Sequence, residues 1–292
     1  MTIHERIEKI GKAKLIGTHE SGSKEWLEQR ANTIGGSDIA SIMHVSPFTS
    51  EVTLWARKSG LIADQPATDR MRLGNLFEPA IAQLYAEYHS NLTLHYPGHT
   101  WESVTNPRFH ANPDGFIETE FGDTSILEIK YTSQYWATLP EHYRLQVMWY
   151  QHVTGLTNDA VVAAVTPYGY TEYSVMYDYN EIEIIEARVL EFLDLLDTKT
   201  QPELEGSAST YETIRELQSD LKDEEIEISE SSYQALLEAI QQQKSWDSFV
   251  RLQKARVMRE MQSCRWGYVD GKQVVSLRTR GEGKPYLVIE QE

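Results

Sequence analysis

The sequence predicts an α/β fold with a mixed central sheet flanked by helices, followed by a helical extension that ends in a β-hairpin. Three observations predict it. Strand-like segments alternate with segments of helical periodicity between Gly74 and Leu196, the order that builds a sheet covered by helices. Hydrophobic residues make up 40% of the 292 residues, enough to bury such a core and to exclude a chain disordered throughout. Pro, Gly and Ser cluster between Thr200 and Ser209, and beyond them the pattern turns to polar helices. The chain therefore divides into an N-terminal arm (1–20), a core domain (21–200) and an acidic extension (201–292).

The elements follow in order. Met1 to Lys14 reads as a helix or arm. Ser23 can cap a helix that reaches Arg30. Ile34-Gly35-Gly36-Ser37-Asp38 is a turn into a helix from Ile39 to His44, with Ser37 or Asp38 placed to cap it. Glu51 to Lys58 is a further helix. Gly74-Asn75 opens a helix to about His89, in which Ile81, Leu84, Tyr85 and Tyr88 form an apolar stripe. Strands are expected over Leu92–Tyr96, Trp101–Thr105, Phe109–Ile117 and Ser125–Tyr131. Pro140 suits the first turn of the next helix, which Gly155 ends. Strands Ala160–Thr166 and Tyr170–Asp178 and a closing helix Glu181–Leu196 complete the core. Beyond it, Gly206–Leu221 and Ser229–Cys264 read as helices. Asp270-Gly271 marks a tight hairpin turn.

Composition limits the setting. Net charge is −17, which argues against a nucleic-acid coat protein but leaves room for a local basic patch. Between Gln201 and Glu238 eleven acids face only Arg215 and Lys222, a run that reads as a solvated helix face, or more sharply as a DNA-repelling or partner surface. A single cysteine, Cys264, leaves no intrachain disulfide and no cysteine-only metal cluster. No apolar run reaches the roughly 18 residues of a membrane span, and the N-terminus lacks a signal-peptide core. A cytoplasmic setting is expected.

Chemistry concentrates in Asn112-Pro113-Asp114-Gly115 and Leu127-Glu128-Ile129-Lys130. Residues two apart on a strand share a face, so Glu128 and Lys130 project together and Ile129 projects into the core. Pairing of the two strands brings Asp114 to Glu128. Two carboxylates and an ammonium in one small site suit phosphodiester cleavage, because hard oxygen ligands hold Mg²⁺ and the ammonium offsets charge on the phosphate. The Ile129 carbonyl is a candidate further ligand. Taken alone, Pro-Asp-Gly is an ordinary turn and Glu-x-Lys an ordinary surface pair. Gln146 and Tyr150 share a face of the following helix, and a glutamine there needs partners. Glu78 is either favourably placed near a helix N-terminus or a third carboxylate of the site. His142 and His152 are too far apart for a His-x-x-x-His zinc pair, and no Gly-x-x-x-x-Gly-Lys loop points to ATP.

Taken together, these blocks resemble the YqaJ-type viral recombinase family, which includes phage lambda exonuclease and belongs to the PD-(D/E)XK nuclease superfamily. The resemblance runs from about Gly17 to Val165. It rests on Trp26-Leu27-Glu28-Gln29-Arg30 through Ser37-Asp38, on Gly74-Asn75-Leu76-Phe77-Glu78-Pro79, on the Asp114, Glu128 and Lys130 strands, and on Gln146-Val147-Met148-Trp149-Tyr150. It implies a restriction-endonuclease-like core. Asp114, Glu128 and the Ile129 carbonyl would hold Mg²⁺, with Mn²⁺ as a substitute. Lys130 would be the catalytic lysine, Glu78 and Gln146 would complete the site, and Tyr150 would support its helix. Arg30 and Ser37 match the pair that grips the 5′-phosphate of a DNA end. Two departures stand out: Tyr131-Thr132-Ser133-Gln134 lacks the basic residue that lambda exonuclease carries nearby, and Asn112 replaces a serine.

The implied activity is 5′→3′ exonucleolytic digestion of one strand of linear duplex DNA. The 3′ single strand left behind would pass to a single-strand annealing protein, inside a phage-infected or prophage-bearing bacterium. A ring-shaped homo-oligomer is implied, with Lys24, Arg30, Arg57, Lys58, Arg70 and Arg72 as candidates to face the DNA. The alternatives are an endonuclease or single-strand-specific nuclease of the same superfamily, and a non-catalytic DNA-binding or assembly module. The iron–sulfur branch of the superfamily needs several cysteines, which this chain lacks.

Overall fold

The computed structural model describes residues 2–17, 29–66 and 68–290. The chain forms two compact units, Met1–Leu221 and Lys222–Glu292. The first opens with α1 (Ile3–Ile10), started by a reciprocal capping box between Thr2 and Glu5. Strand β1 (Ala13–Leu15), α2 (Gly36–Ile42), α3 (Glu51–Lys58) and α4 (Asp69–Tyr88) follow. Then come β2 (Thr93–His95), β3 (Trp101–Ser103), β4 (His110–Ala111), β5 (Gly115–Glu118) and β6 (Thr124–Tyr131). The unit closes with α5 (Glu141–Thr154), β7 (Ala160–Thr166), β8 (Gly169–Val175), α6 (Tyr179–Asp197) and α7 (Ala208–Leu217).

The central sheet has the order β2-β5-β6-β7-β8, antiparallel throughout except for the parallel pair β6 and β7. A parallel pair needs a crossover, and α5 supplies it. Alternation along β6 sorts the two faces. Leu127 and Ile129 pack with Ile81 and Tyr85 of α4, whereas Ile126 joins the larger core with Met148 and Trp149 of α5 and Ile185 and Phe192 of α6. Glu128 and Lys130 share the face of Ile126, as the period of two requires.

Four sequence expectations change. The expected strand Phe109–Ile117 divides: β4 pairs with β3, which pairs with β1 in a second sheet, and β5 enters the central one. Pro113, lacking an N–H, sits at the break, and the Asp114 carbonyl accepts instead from Gly98 (2.8 Å). The helix expected from Gly74 starts earlier, because Thr68 caps it by accepting from Met71 N. Glu78 thus lies in mid-helix, so proximity to a helix N-terminus does not explain it. The helix after Gly35 also begins sooner than Ile39, at Gly36, since the Asp38 side chain accepts from Gly35 N (3.0 Å). The compact unit runs past the boundary expected near Thr200, because α7 is tied to α3 by hydroxyls: Thr53 Oγ1 lies 2.7 Å from both Ser209 Oγ and Thr213 Oγ1. The helix expected over Ser23–Arg30 falls mostly outside the described residues, of which Gln29–Ala31 are helical.

Helices α2 and α5 touch at Gly36. A Cβ there would lie 2.4 Å from the Tyr150 ring and 2.8 Å from the Gln146 carbonyl oxygen. Both neighbours are core positions with little freedom to yield. Gly36→Ala is therefore expected to cost about 1–3 kcal/mol by overpacking. Thermal unfolding checks this, with a fall of roughly 2–4 °C per kcal/mol in a unit this size; an unchanged midpoint would mean that α5 shifts freely.

The second unit consists of the long helix α8 (Glu230–Met261) and an antiparallel sheet β9 (Trp266–Val269), β10 (Lys272–Arg278) and β11 (Tyr286–Ile289), with β10 in the centre. The expected Asp-Gly turn joins β9 to β10, with Asp270 at φ 50° and Gly271 at φ 80°. The third strand was not anticipated from the sequence.

Candidate active site

Strand pairing assembles the first constellation. Gly115 is opposite Leu127 in the β5–β6 register, which sets Asp114 beside Glu128 and Ile129. Asp114 Oδ2 accepts from the Ile129 backbone N–H at 2.6 Å. Glu128 is buried, and its Oε1 accepts from Lys130 Nζ and from Gln146 Nε2 (2.7 Å). Gln146 Nε2 also reaches the Tyr150 hydroxyl, at 2.9 Å. Glu128 Oε2 is buried without a hydrogen-bond partner. Glu78, from the opposite side of the strand, accepts from the Tyr96 hydroxyl (3.1 Å) and is close enough to Glu128 and Lys130 to feel both charges.

The charges do not balance. Three carboxylates face one ammonium. Burial raises the Asp114 carboxyl well above its usual range, and repulsion from Glu128 and then Glu78 adds to the rise. Burial also raises Glu78, with Glu128 contributing. Burial would lower Lys130, but Glu128 and Asp114 outweigh it and hold the amine protonated. Burial and the same two carboxylates raise Tyr150, which stays a neutral phenol. Such a site gains from a divalent cation, which relieves the repulsion and occupies the orphaned Glu128 oxygen. Among the described residues, no three His, Cys, Asp or Glu side chains are gathered to hold a metal unaided. An ion here would take Asp114 and Glu128 and complete its shell from backbone carbonyl or water oxygens, a habit of Mg²⁺.

The second constellation surrounds Arg30, whose Nη2 donates to Ser37 Oγ (3.0 Å) and Asp38 Oδ1 (3.3 Å). Lys58 Nζ lies 3.0 Å from Asp38 Oδ2 and donates to the carbonyls of Arg30 (2.8 Å) and Thr33 (2.6 Å). The ammonium thus has three acceptors for three protons and fixes the backbone of Arg30 against the start of α2. Burial pushes the Asp38 carboxyl up, but Lys58 and Arg30 outweigh that and hold it below the usual range. The expectation that Lys58 faces DNA is corrected: at 5% side-chain exposure it is buried, because Asp38 needs its charge. Lys24 lies outside the described residues.

The structure therefore brings Glu78, Asp114, Glu128, Lys130, Gln146 and Tyr150 together, and Arg30 with Ser37. It adds residues that sequence reasoning missed. Tyr96 carried no signal. Tyr143, whose ring centroid is 4.9 Å from Lys130 Nζ, stands three residues before Gln146, a helical spacing that could have found it. Arg70 Nη2 reaches Thr132 Oγ1 at 3.4 Å, so α4 brings a cation to the segment after Lys130 that has none of its own.

Residues 25–157 match the family model of the YqaJ-like viral recombinase domain. The protein YqaJ of Bacillus subtilis (strain 168) is 27% identical over 214 residues, covering 69% of this chain and 65% of its own length. An alkaline exonuclease from Laribacter hongkongensis shares the fold, with a TM-score of 0.51 at 20% identity over 61% of this chain and 94% of that one. A phage-related exonuclease from Haemophilus somnus aligns with a TM-score of 0.45 at 13% identity, covering 57% of this chain and 96% of that one.

Proposed function

We propose that this chain, whose residues 25–157 match the family model of the YqaJ-like viral recombinase domain, is a Mg²⁺-dependent 5′→3′ exonuclease that digests one strand of linear duplex DNA. The observation that carries the reading is the buried, unpartnered Glu128 Oε2 beside a carboxylate crowded by its neighbours. Asp114, Glu128 and the Ile129 carbonyl would hold the ion, and Mn²⁺ would substitute. When bound, the ion polarises the scissile phosphate and lowers the pKa of a bound water. Lys130, an ammonium, balances negative charge that develops on the phosphate. Gln146 holds Glu128 in place while Tyr150 holds Gln146. Glu78, raised by burial, is poised to take or hold a proton near the site.

Arg30 and Ser37 would grip the 5′-phosphate, where a guanidinium fork beside a hydroxyl suits a phosphate oxygen pair. The 3′ strand left behind would pass to a single-strand annealing protein. A ring of identical subunits would enclose the duplex, with Arg30 and Arg70 among the channel cations. The setting would be the cytoplasm of a phage-bearing bacterium. Among the described residues, no helix is long and apolar enough to cross a membrane.

The test is digestion of a linear duplex with and without 5′-phosphate, in Mg²⁺ and in chelator. Rapid loss of the phosphorylated strand only in Mg²⁺ is expected. Digestion that survives the chelator, or equal cutting of closed circles, would sink the reading. Arg30→Ala should remove a charge-assisted contact of about 1.5–3 kcal/mol. It should lower the rate on phosphorylated ends by roughly 10–100-fold and leave 5′-hydroxyl ends little changed.

A further inference from the structure

The second unit carries a surface that the nuclease reading does not use. In the β9–β10–β11 sheet, Ser276 is opposite both Trp266 and Val288, and Arg278 is opposite Tyr286. Residues directly opposite one another point to the same side, as do residues two apart along a strand. Trp266, Tyr268, Arg278 and Tyr286 therefore share one face. The other face holds Gly267, Val275, Leu277 and Leu287 and packs on the end of α8: a Cβ on Gly267 would lie 3.5 Å from the Met261 sulfur and 2.5 Å from Val275 Cγ2. The aromatic face is thus the one turned away from α8, and its rings are open at 47% for Trp266, 59% for Tyr268 and 40% for Tyr286 around a buried Ser276.

Water gives no reason to place three aromatic rings on this face of a small sheet. A ligand with flat, apolar, negatively flanked groups does. The arginines are arranged accordingly. The Arg265 guanidinium lies 5.1 Å from the Trp266 ring centroid, and that of Arg280 lies 5.8 Å from the Tyr286 centroid. Arg278 is tethered beside Tyr286 by Glu290 (3.1 Å). The sign of the charge also reverses here. Between Arg265 and Glu290 five Lys and Arg face three Asp and Glu, in a chain whose net charge is −17.

We propose that this sheet face binds single-stranded DNA, its bases stacking on Trp266, Tyr268 and Tyr286 and its phosphates meeting Arg265, Arg278 and Arg280. Ring faces are open to unpaired bases only, since a duplex keeps its base faces stacked inside. The choice of DNA rests on the exonuclease reading, in which the product is a single strand; the face itself follows from the sheet alone. It would keep the newly exposed 3′ strand attached while the other strand is digested.

The test uses the full chain in chelator, so that nothing is cut, and follows the anisotropy of a fluorescein-labelled oligothymidylate longer than about 16 nucleotides. Trp266→Ala with Tyr268→Ala is expected to weaken binding by about 10-fold or more, and Trp266→Phe with Tyr268→Phe to stay within about twofold of the parent chain. The affinity for a blunt hairpin duplex should move less than about twofold in both, and equal melting midpoints show that the fold is kept. Equal loss for single strand and duplex, no loss in the alanine pair, or a polyglutamate peptide that competes as well as the oligonucleotide would each overturn the proposal. Wild-type protein that binds the single strand through these rings yet digests no DNA would refute the exonuclease reading alone.

Discussion

Lys130→Met is expected to lower Mg²⁺-dependent digestion of linear duplex DNA by about 10²–10³-fold, the usual effect of removing a preorganised charge from a site where charge develops. Methionine keeps the length of the side chain and its apolar stem, so the packing against Tyr143 survives. The ammonium is lost from Glu128 Oε1, which retains only its bond from Gln146. Removal of one member of a buried ion pair also costs stability, up to about 3–5 kcal/mol. The rate must therefore be read below the melting midpoint of the variant. Single-turnover rates at saturating DNA, with circular dichroism at the assay temperature, separate the two effects. A variant that is folded and as fast as the parent would remove Lys130 from the chemistry.

The strands around that lysine illustrate what a sequence can and cannot disclose. Glu128 and Lys130 share a face because a strand alternates, and that much is fixed by local geometry. Their pairing with Asp114 was also legible, since a Pro-Asp-Gly turn followed by two strand-like segments suggests adjacent strands. The length of the first strand was not. Its division at Pro113 sends His110 and Ala111 into another sheet, which depends on neighbouring Trp101 and, through β3, on β1 with Ala13 far away in sequence. Gln146 and Tyr150 were found because helical spacing is periodic. Tyr96 was not, because its contact with Glu78 joins a loop to the middle of a helix and has no period at all. Lys58 departs from expectation for a related reason. A lysine at a helix C-terminus ordinarily reaches solvent, and only the fold puts Asp38 and two carbonyls around it. The aromatic face of the C-terminal sheet needed its third strand, since Tyr286 joins Trp266 and Tyr268 only through the β10 register.

Asp114→Asn is expected to abolish digestion and yet to stabilise the metal-free protein, a pairing that few structural substitutions produce. Asparagine keeps an oxygen for the Ile129 N–H and removes the charge that crowds Glu128 and Glu78. The direction with pH follows from the raised carboxyl. Its folded pKa exceeds the unfolded value of about 3.9, so the folded state binds the proton more tightly. The wild-type contribution is fully present below that unfolded value and is lost as pH rises through the raised one. The variant has no such loss. The difference in melting midpoint between variant and wild type, measured in chelator, should be small near pH 4 and grow as pH rises toward neutrality. A gain of about 0.5–2 kcal/mol is the usual yield when strain at an active site is removed. Mg²⁺ should then raise the wild-type midpoint by mass action, more at higher pH because the proton must leave before the ion is held, and should leave the variant unmoved. A variant less stable than wild type at neutral pH, or one that Mg²⁺ stabilises equally, would show that Asp114 is a structural carboxylate and not one arm of a metal site.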